Sequence, residues 1–172
     1  MKTEKVYIEF LVLKAQSGDS QALDDLLLLV HKKMLSYANR IMSGSVGVDD
    51  CVQESMLVLV KKLNRLNEVK SFHGWVYKIL NSRCQDYFRK NKVSLELSDV
   101  DLNSQNHDHI QDRKIDINYA ISKLSRRHQS VIYLFYFEGF RVAEIAQILG
   151  KPAGTIKSLL FDARTAIKSF LK

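Results

Sequence analysis

The sequence contains very little proline and glycine, with one proline and seven glycines in 172 residues. An all-β domain needs many turns, and turns rely heavily on these two residues. The composition therefore favours a helical protein. Cysteine is also scarce, because Cys51 and Cys84 are the only two. Neither they nor the five histidines have CxxC or HxxxH spacing, so we expect no metal site and no cofactor.

Long hydrophobic segments are missing as well. The apolar run at residues 26–30 is far too short to cross a bilayer. No cationic leader followed by an apolar stretch and a cleavage site is present. We therefore expect a cytoplasmic protein with reduced thiols and no membrane insertion.

The charge is positive overall and unevenly distributed. The formal net charge is +7, which favours polyanionic partners. Residues 1–93 carry 15 Lys and Arg against 10 Asp and Glu, residues 94–112 carry none against 5, and residues 113–172 carry 11 against 4. Two basic segments joined by an acidic one suggest two units that face nucleic acid and a connector of opposite sign.

Apolar residues in the first segment recur at helical spacing. They predict a long helix that includes Leu23, Leu27, Val30, Met34, Ala38 and Ile41. A second helix is expected at residues 49–63, with inward-facing Val52, Met56, Leu59, Val60 and Leu63. A third is expected from Ser71 to about residue 90, with Phe72, Val76, Ile79 and Leu80 inward. The fold class is therefore all-α.

The segment 94–112 is rich in Ser, Asn and Asp and lacks helical periodicity, so it predicts a linker. The chain is then divided into a domain at 1–93, the acidic linker, and a domain at 113–172. Because the linker has no apolar stripe, we expect a monomer whose two domains move independently.

The strongest local signal lies near the C-terminus. Val142, Ile145, Ala146 and Leu149 form one apolar face, and the glycine- and proline-containing residues 150–154 then force a turn. A second helix follows with Ile156, Leu160, Ala163 and Ile167 inward. This is the spacing of a helix-turn-helix, whose second helix enters a DNA major groove.

The outer faces of three predicted helices are candidate binding surfaces. The helix at 49–63 exposes Gln53, Glu54, Leu57 and Lys61, which suits a protein partner but also an ordinary solvated face. The third helix carries outward aromatic and basic residues suited to stacking on unpaired bases, namely Tyr77, Lys78, Asn81, Gln85, Phe88 and Arg89. The alternative for that helix is a neighbouring element that covers it on both sides.

The last helix places Ser158, Phe161 and Thr165 opposite its apolar stripe, flanked by Lys157, Asp162 and Lys168. Against DNA, Phe161 would pack on a thymine methyl group, while Lys157 and Ser158 reach phosphates or base edges. The alternative is a helical hairpin that packs Phe161 against another domain.

These motifs resemble the extracytoplasmic-function branch of the sigma-70 family. Residues 49–54 (DDCVQE) are similar to the family's polymerase-docking helix. Residues 72–79 (FHGWVYKI) and 86–90 (DYFRK) are similar to its promoter-melting helix. Residues 137–140 (FEGF), 144–146 (EIA), 149–150 (LG) and 154–158 (GTIKS) resemble its final helix-turn-helix.

The resemblance implies particular partners and roles. Asp49, Asp50, Gln53, Glu54 and Leu57 would dock on the β′ clamp helices of core RNA polymerase. The −10 promoter element would be read and unpaired by residues 64–71 together with Trp75, Tyr77, Lys78, Asn81, Gln85, Phe88 and Arg89. The second domain would lie at the β flap and read the −35 element with Thr155, Lys157, Ser158, Phe161, Asp162 and Arg164. An anti-sigma factor is a further expected partner, and the acidic linker would thread through the polymerase.

Three positions depart from the family pattern. Leu159 and Asp162 stand where the family usually has arginine, which predicts altered or weakened −35 recognition, and Ser82 replaces a common asparagine. Two other functions stay open on sequence alone: a helix-turn-helix regulator that binds operators without polymerase, and a sigma-like accessory protein. An enzyme is not expected, because no nucleophile–base spacing and no glycine-rich phosphate loop occurs.

Overall fold

The computed structural model describes residues 2–96 and 117–170, with side chains described for 3–91 and 117–170. These residues are helical with short turns, and they contain no β-strand. The eight α-helices are α1 (Lys2–Gln16), α2 (Ser20–Ile41), α3 (Val48–Lys62), α4 (Phe72–Glu96), α5 (Ile117–Ser122), α6 (Arg126–Ile132), α7 (Val142–Leu149) and α8 (Ala153–Phe170). The predicted linker at 94–112 falls almost entirely outside the described residues.

Helices α1 to α4 form a first bundle. Asp19 caps α2, because its carboxylate accepts a hydrogen bond of 3.0 Å from the Ala22 amide. The Gln16 side chain donates hydrogen bonds of 2.8 Å to the carbonyls of Leu63 and Leu66, which ties the end of α1 to the turn after α3. Two short 3₁₀ segments, Leu63–Arg65 and Val69–Ser71, then lead the chain into α4.

The core of this bundle differs in detail from the predicted one. Leu26 is fully buried on α2, whereas Leu23 and Leu27 are only partly buried. On α3, Val60 was predicted to face inward but is 44% exposed. Helix α1 was not predicted, and its buried face consists of Ile8, Leu11 and Val12.

Helices α5 to α8 form a second bundle. A π-helical segment, Tyr133–Phe137, follows α6 and leads toward α7. The buried Gln129 amide donates to the carbonyls of Ser122 and Leu124 and fixes the turn between α5 and α6. At the start of α7, the Arg141 amide donates to the Glu144 carboxylate at 2.7 Å. These bonds satisfy polar groups that the helix ends would otherwise leave unpaired.

The predicted helix-turn-helix is present as α7 and α8. Helix α7 ends at Leu149 and is followed by Gly150, whose φ of +62° is left-handed, and Pro152 lies just before α8. Ile145, Ile156, Leu160 and Ala163 are buried between the helices of this bundle. Ile148 on α7 is 4% exposed although it lies outside the predicted apolar stripe.

The two bundles pack directly against each other, mainly through α4 and α7. The expectation that the two domains move independently did not include this contact, because it was based on the linker alone, whereas the packing surface is on the bundles themselves. A methyl group added at Gly74 on α4 would lie 3.9 Å from both Phe140 and Ile148, which is ordinary van der Waals distance.

Candidate polymerase and promoter surfaces

The predicted polymerase-docking residues lie together on the free face of α3. Asp49, Asp50, Gln53, Glu54 and Leu57 are all exposed, and Leu57 is 59% exposed. The two aspartates occupy the first turn, where the helix dipole favours negative charge. The opposite side of the helix is buried through Cys51, Val52 and Leu59. An acidic surface with an aliphatic centre suits a protein partner with complementary charge.

The predicted −10 residues on α4 do not share one exposed face. Lys78, Gln85 and Arg89 are exposed, and Trp75 and Phe88 are partly buried. Tyr77 and Asn81, in contrast, are only 1% and 7% exposed. The prediction that these two side chains point outward is therefore wrong for this arrangement of the chain.

Tyr77 is buried because aromatic rings surround it. Its ring lies 5.2 Å from that of Tyr37 on α2 and 5.3 Å from that of Phe140 in the second bundle, both edge-on. Burial, followed by the nearby Glu138 carboxylate, raises the pKa of Tyr77 well above its ordinary value. The helical wheel of α4 alone could not reveal this, since the covering residue comes from a distant part of the sequence.

Asn81, Gln85 and Phe88 border a cleft of about 420 Å³ between the bundles. The second bundle contributes the cations Arg126, Arg127 and Lys151 to its walls. The Arg126 guanidinium lies 3.8 Å from the centre of the Phe88 ring, a cation–π contact.

Arg89, the last residue predicted to contact −10 DNA, is held by an intrahelical ion pair. Its guanidinium donates to the Asp86 carboxylate at 2.9 Å, and Arg83 lies 3.9 Å from the same carboxylate. Arg83 is also 3.9 Å from Glu54, so these charges link α4 to the exposed face of α3.

The predicted −35 residues do form one open surface on α8. Thr155, Lys157, Ser158, Phe161, Asp162 and Arg164 are all exposed. Phe161 is 68% exposed, so in this structure it does not pack against another domain as the helical-hairpin alternative required. Arg164 donates a 2.8 Å hydrogen bond to the Tyr136 hydroxyl, and Ser158 donates a long one of 3.5 Å to Asp162.

Two family models match the two bundles. The model for Sigma-70 region 2 matches residues 26–93, and that for Sigma-70, region 4 matches residues 114–167. Together these matches cover more than half of the chain, and their order is that of the docking, melting and helix-turn-helix motifs. The chain belongs to the sigma-70 family.

Sigma-factor relatives agree with this membership. RNA polymerase sigma factor SigV of Bacillus subtilis is 31% identical over 117 residues, which cover 66% of this chain and 69% of that protein. The ECF RNA polymerase sigma-E factor of Escherichia coli K12 is 26% identical over 181 residues, covering 96% and 94%. The chain is a sigma factor of the extracytoplasmic-function branch.

Solved structures support the same fold. The sigma factor RpoE of Bartonella quintana, solved in complex with the anti-sigma factor NepR, aligns with a TM-score of 0.70 and 26% identity. That alignment covers 87% of this chain and 96% of that one. CnrH in complex with the cytosolic domain of CnrY aligns with a TM-score of 0.65 and 23% identity over 96% and 97%, a likeness of fold alone.

Within the described residues of this sigma factor, no helix is both long and apolar enough to span a bilayer.

The residues that join its two regions, chiefly Phe140, Ile148 and Arg126, were not predicted from the sequence. For Ile148 the sequence did contain a signal. It is a large aliphatic residue outside the apolar stripe of its own helix, and such a side chain is buried only if another element covers it.

Proposed function

We propose that this sigma factor directs core RNA polymerase to promoters through three separate surfaces. The exposed face of α3 docks on the β′ clamp helices, α4 with residues 64–71 recognises and unpairs the −10 element, and α8 reads the −35 element as duplex near the β flap. The observation that carries this assignment is the order of the region 2 and region 4 matches together with the free faces of α3 and α8.

The remaining expectations follow from that role. The functional units are a domain at 1–93 and one at 113–172, joined by the acidic residues 94–112. The protein acts in the cytoplasm and catalyses no reaction itself, since the polymerase forms the RNA. An anti-sigma factor is a proposed partner, and RpoE of Bartonella quintana was solved with one.

A charge-matched pair of variants tests the docking surface. Changing Gln53 and Glu54 to Lys adds three positive charges to α3, and changing Gln21 and Asp24 to Lys adds the same three to an exposed part of α2. Affinity for purified core polymerase is measured by competition with a labelled sigma factor. We expect the α3 variant to bind at least tenfold more weakly and the α2 variant to bind as the parent does; equal affinities would remove α3 from the docking surface.

Promoter recognition is tested by transcription in vitro from a library of genomic fragments. RNA that starts at discrete sites only when both the chain and core polymerase are present supports initiation. Specific binding of duplex DNA by the chain alone, with no effect on polymerase, would instead support an operator-binding regulator.

A further inference from the structure

Arg164 on α8 is oriented by three contacts with the π-helical segment that follows α6. Its Nε atom donates a hydrogen bond of 2.8 Å to the Tyr136 hydroxyl. The central carbon of its guanidinium lies 5.6 Å from the ring centres of both Phe135 and Tyr136. These two rings are 5.0 Å apart and nearly perpendicular, with 76° between their planes. They therefore form a corner that limits the directions in which the guanidinium can point.

All three contacts are with neutral groups, so Arg164 keeps its full positive charge. No carboxylate of the described residues forms an ion pair with it. Arg89 on α4 shows the contrast, because its guanidinium is paired with the Asp86 carboxylate at 2.9 Å. An oriented cation without such a partner attracts an anion more strongly than a paired one, since no neighbouring carboxylate competes for it.

The hydrogen bond also determines which part of Arg164 is free. A guanidinium has five N–H bonds in a fixed plane, one on Nε and four on the two terminal nitrogens. Because the Tyr136 hydroxyl accepts from Nε, the terminal nitrogens remain for another partner. Two terminal nitrogens bind the oxygens of a phosphate through parallel hydrogen bonds, a geometry that lysine does not reproduce.

The position of Arg164 along α8 favours a phosphate over a base. A recognition helix contacts base edges mainly with its N-terminal residues. Helix α8 begins at Ala153, so at 1.5 Å per residue Arg164 lies roughly 16 Å from that end, farther than the ~12 Å width of the major groove. Helical spacing places the exposed Lys157 and Lys168 on the same edge of α8 as Arg164. An edge with three exposed cations matches the line of phosphates along one wall of the groove.

From this geometry we propose that Tyr136 is a positioning residue for the −35 contact, because it holds the Arg164 guanidinium toward one phosphate of the promoter duplex. The inference rests on the proposed function, since it takes α8 as the −35 surface. It adds a residue that lies 28 positions before Arg164, outside the helix-turn-helix, to those that determine −35 affinity. Because the contact is with the DNA backbone, Tyr136 contributes to affinity rather than to the choice of sequence.

The first test compares Tyr136→Phe with Tyr119→Phe. The first variant keeps the ring and loses the hydroxyl that accepts from Arg164. The second loses the hydroxyl of another tyrosine in the same bundle with similar exposure, 58% against 55%. Each chain is bound to core polymerase, and its affinity for promoter duplex is measured by fluorescence anisotropy at several KCl concentrations, at a low temperature where the −10 element stays paired.

We expect Tyr136→Phe to bind about fivefold more weakly, the effect of one hydrogen bond. The dependence of log affinity on log salt should become shallower by up to about 0.9, the value for one phosphate contact. Tyr119→Phe should match the parent in both quantities. Melting temperatures should be the same for all three chains, because both tyrosines are exposed.

A double-mutant cycle tests whether Tyr136 acts through Arg164. Arg164→Gln removes the charge and should weaken binding at least about tenfold, as for a hydrogen bond to a charged group. Adding Tyr136→Phe to Arg164→Gln should change nothing further, since two residues that act through one contact are not additive. Across duplexes altered at single −35 positions, Tyr136→Phe should weaken binding uniformly, as expected for a phosphate contact.

The outcomes separate this inference from the proposed function. Tyr136→Phe binding as the parent does, or an equal loss from Tyr136→Phe with and without Arg164, would overturn the positioning role. A loss confined to one base pair would overturn the phosphate contact. A lower melting temperature with an unchanged salt slope would make the hydrogen bond structural only. Failure of the parent chain to direct polymerase to promoters, which is measured first, would instead overturn the proposed function.

Discussion

The imidazole of His73 lies against the ring of Phe140, with ring centres 4.8 Å apart, and this pair joins α4 of region 2 to the residues before α7 of region 4. Burial chiefly, and then the cations Lys33 and Lys5, lower the pKa of His73 from 6.5 to about 4. Glu4 and Glu144 act in the opposite direction but do not outweigh them. The contact therefore holds a neutral imidazole.

This pKa makes the stability of the folded chain sensitive to acid. Because the pKa is lower in the folded chain than in water, the contribution of neutral His73 is fully present above pH 6.5. It is lost as the pH falls from 6.5 toward 4, and the ratio of folded to unfolded chain then falls by at most about tenfold per pH unit. We expect the free energy of unfolding in urea, followed by the fluorescence of the single tryptophan Trp75, to fall between pH 7.5 and 5.5.

His73→Gln is the control for this titration. The variant keeps the other four histidines, including His31 and His128, but has no group at position 73 that gains a proton in this range. Its free energy of unfolding should fall less over this range. An equally steep fall in the variant would assign the acid sensitivity to other groups.

We expect the folded chain to become more stable when the Tyr77 hydroxyl is removed. A buried hydroxyl without a hydrogen-bond partner costs about 1–3 kcal/mol. The Tyr77 hydroxyl makes no hydrogen bond of ordinary distance and angle with the described residues, although the Glu138 carboxylate lies near it. We expect Tyr77→Phe to raise the free energy of unfolding in urea by about 1 kcal/mol. Tyr7→Phe, at a site that is 48% exposed, should leave it unchanged.

A loss of stability in Tyr77→Phe would contradict this prediction. It would mean that the hydroxyl is hydrogen-bonded in solution, with the Glu138 carboxylate as the acceptor, since that carboxylate also contributes to the raised pKa of Tyr77. The variant keeps the aromatic ring, so its effect on stability is separate from any effect on stacking with DNA.

Adding a side chain at Gly47 should destabilise the fold for a steric reason. It precedes α3, and a Cβ atom there would overlap the ring of Tyr87 on α4. Overpacking of this kind costs about 1–3 kcal/mol, so Gly47→Ala should lower the melting temperature by several degrees. Gly154→Ala on α8 has open space and an ordinary backbone conformation, and it should be neutral or slightly stabilising.

The mechanism behind that loss can be checked with a second change. Combining Gly47→Ala with Tyr87→Leu removes the ring that the new methyl group meets. We expect the double variant to be more stable than the sum of the two single changes predicts, as for residues in direct contact. Strict additivity would mean that the Tyr87 ring is not what the new methyl group meets.

The sequence was sufficient for the parts of the fold that depend on local patterns. The helix-turn-helix could be predicted because Gly150 and Pro152 interrupt two apolar stripes, and a left-handed residue does end α7. The face of α3 could be predicted because its exposure follows from helical spacing. Helix α1 was missed because Val6, Phe10 and Leu13 are exposed apolar residues beside its buried ones, which obscures its amphipathic pattern.

What the sequence could not supply was the packing of region 4 on region 2. Tyr77 occupies an outward position on the wheel of α4, and its burial depends on Phe140, which lies 63 residues away. No periodicity within α4, or in the turn that holds Phe140, contains that pairing. The same limitation explains Ile148, whose partner surface at Gly74 lies 74 residues away.

We expect the Asp162 side chain to weaken the binding of α8 to duplex DNA. It lies on the exposed face with Phe161 and Ser158, close to where a DNA backbone would pass if α8 enters the major groove. A carboxylate there repels phosphate, so Asp162→Arg should strengthen binding to promoter duplex. Each added phosphate contact also steepens the dependence of log affinity on log salt by about 0.9. Binding is measured by fluorescence anisotropy from 50 to 300 mM KCl, at promoter sites found in the transcription experiment.

A carboxylate in the groove could instead accept a hydrogen bond from a cytosine amino group and contribute to sequence choice. Asp162→Asn and Asp24→Arg separate these effects. The first keeps the shape but removes the charge, and the second adds the same charge as Asp162→Arg at an exposed site on α2. If Asp162 only repels phosphate, Asp162→Asn binds all duplexes more tightly and Asp24→Arg changes little. If it reads a cytosine, Asp162→Asn loses discrimination at one base pair. An unchanged salt slope in Asp162→Arg, without a gain in affinity, would place residue 162 away from the DNA.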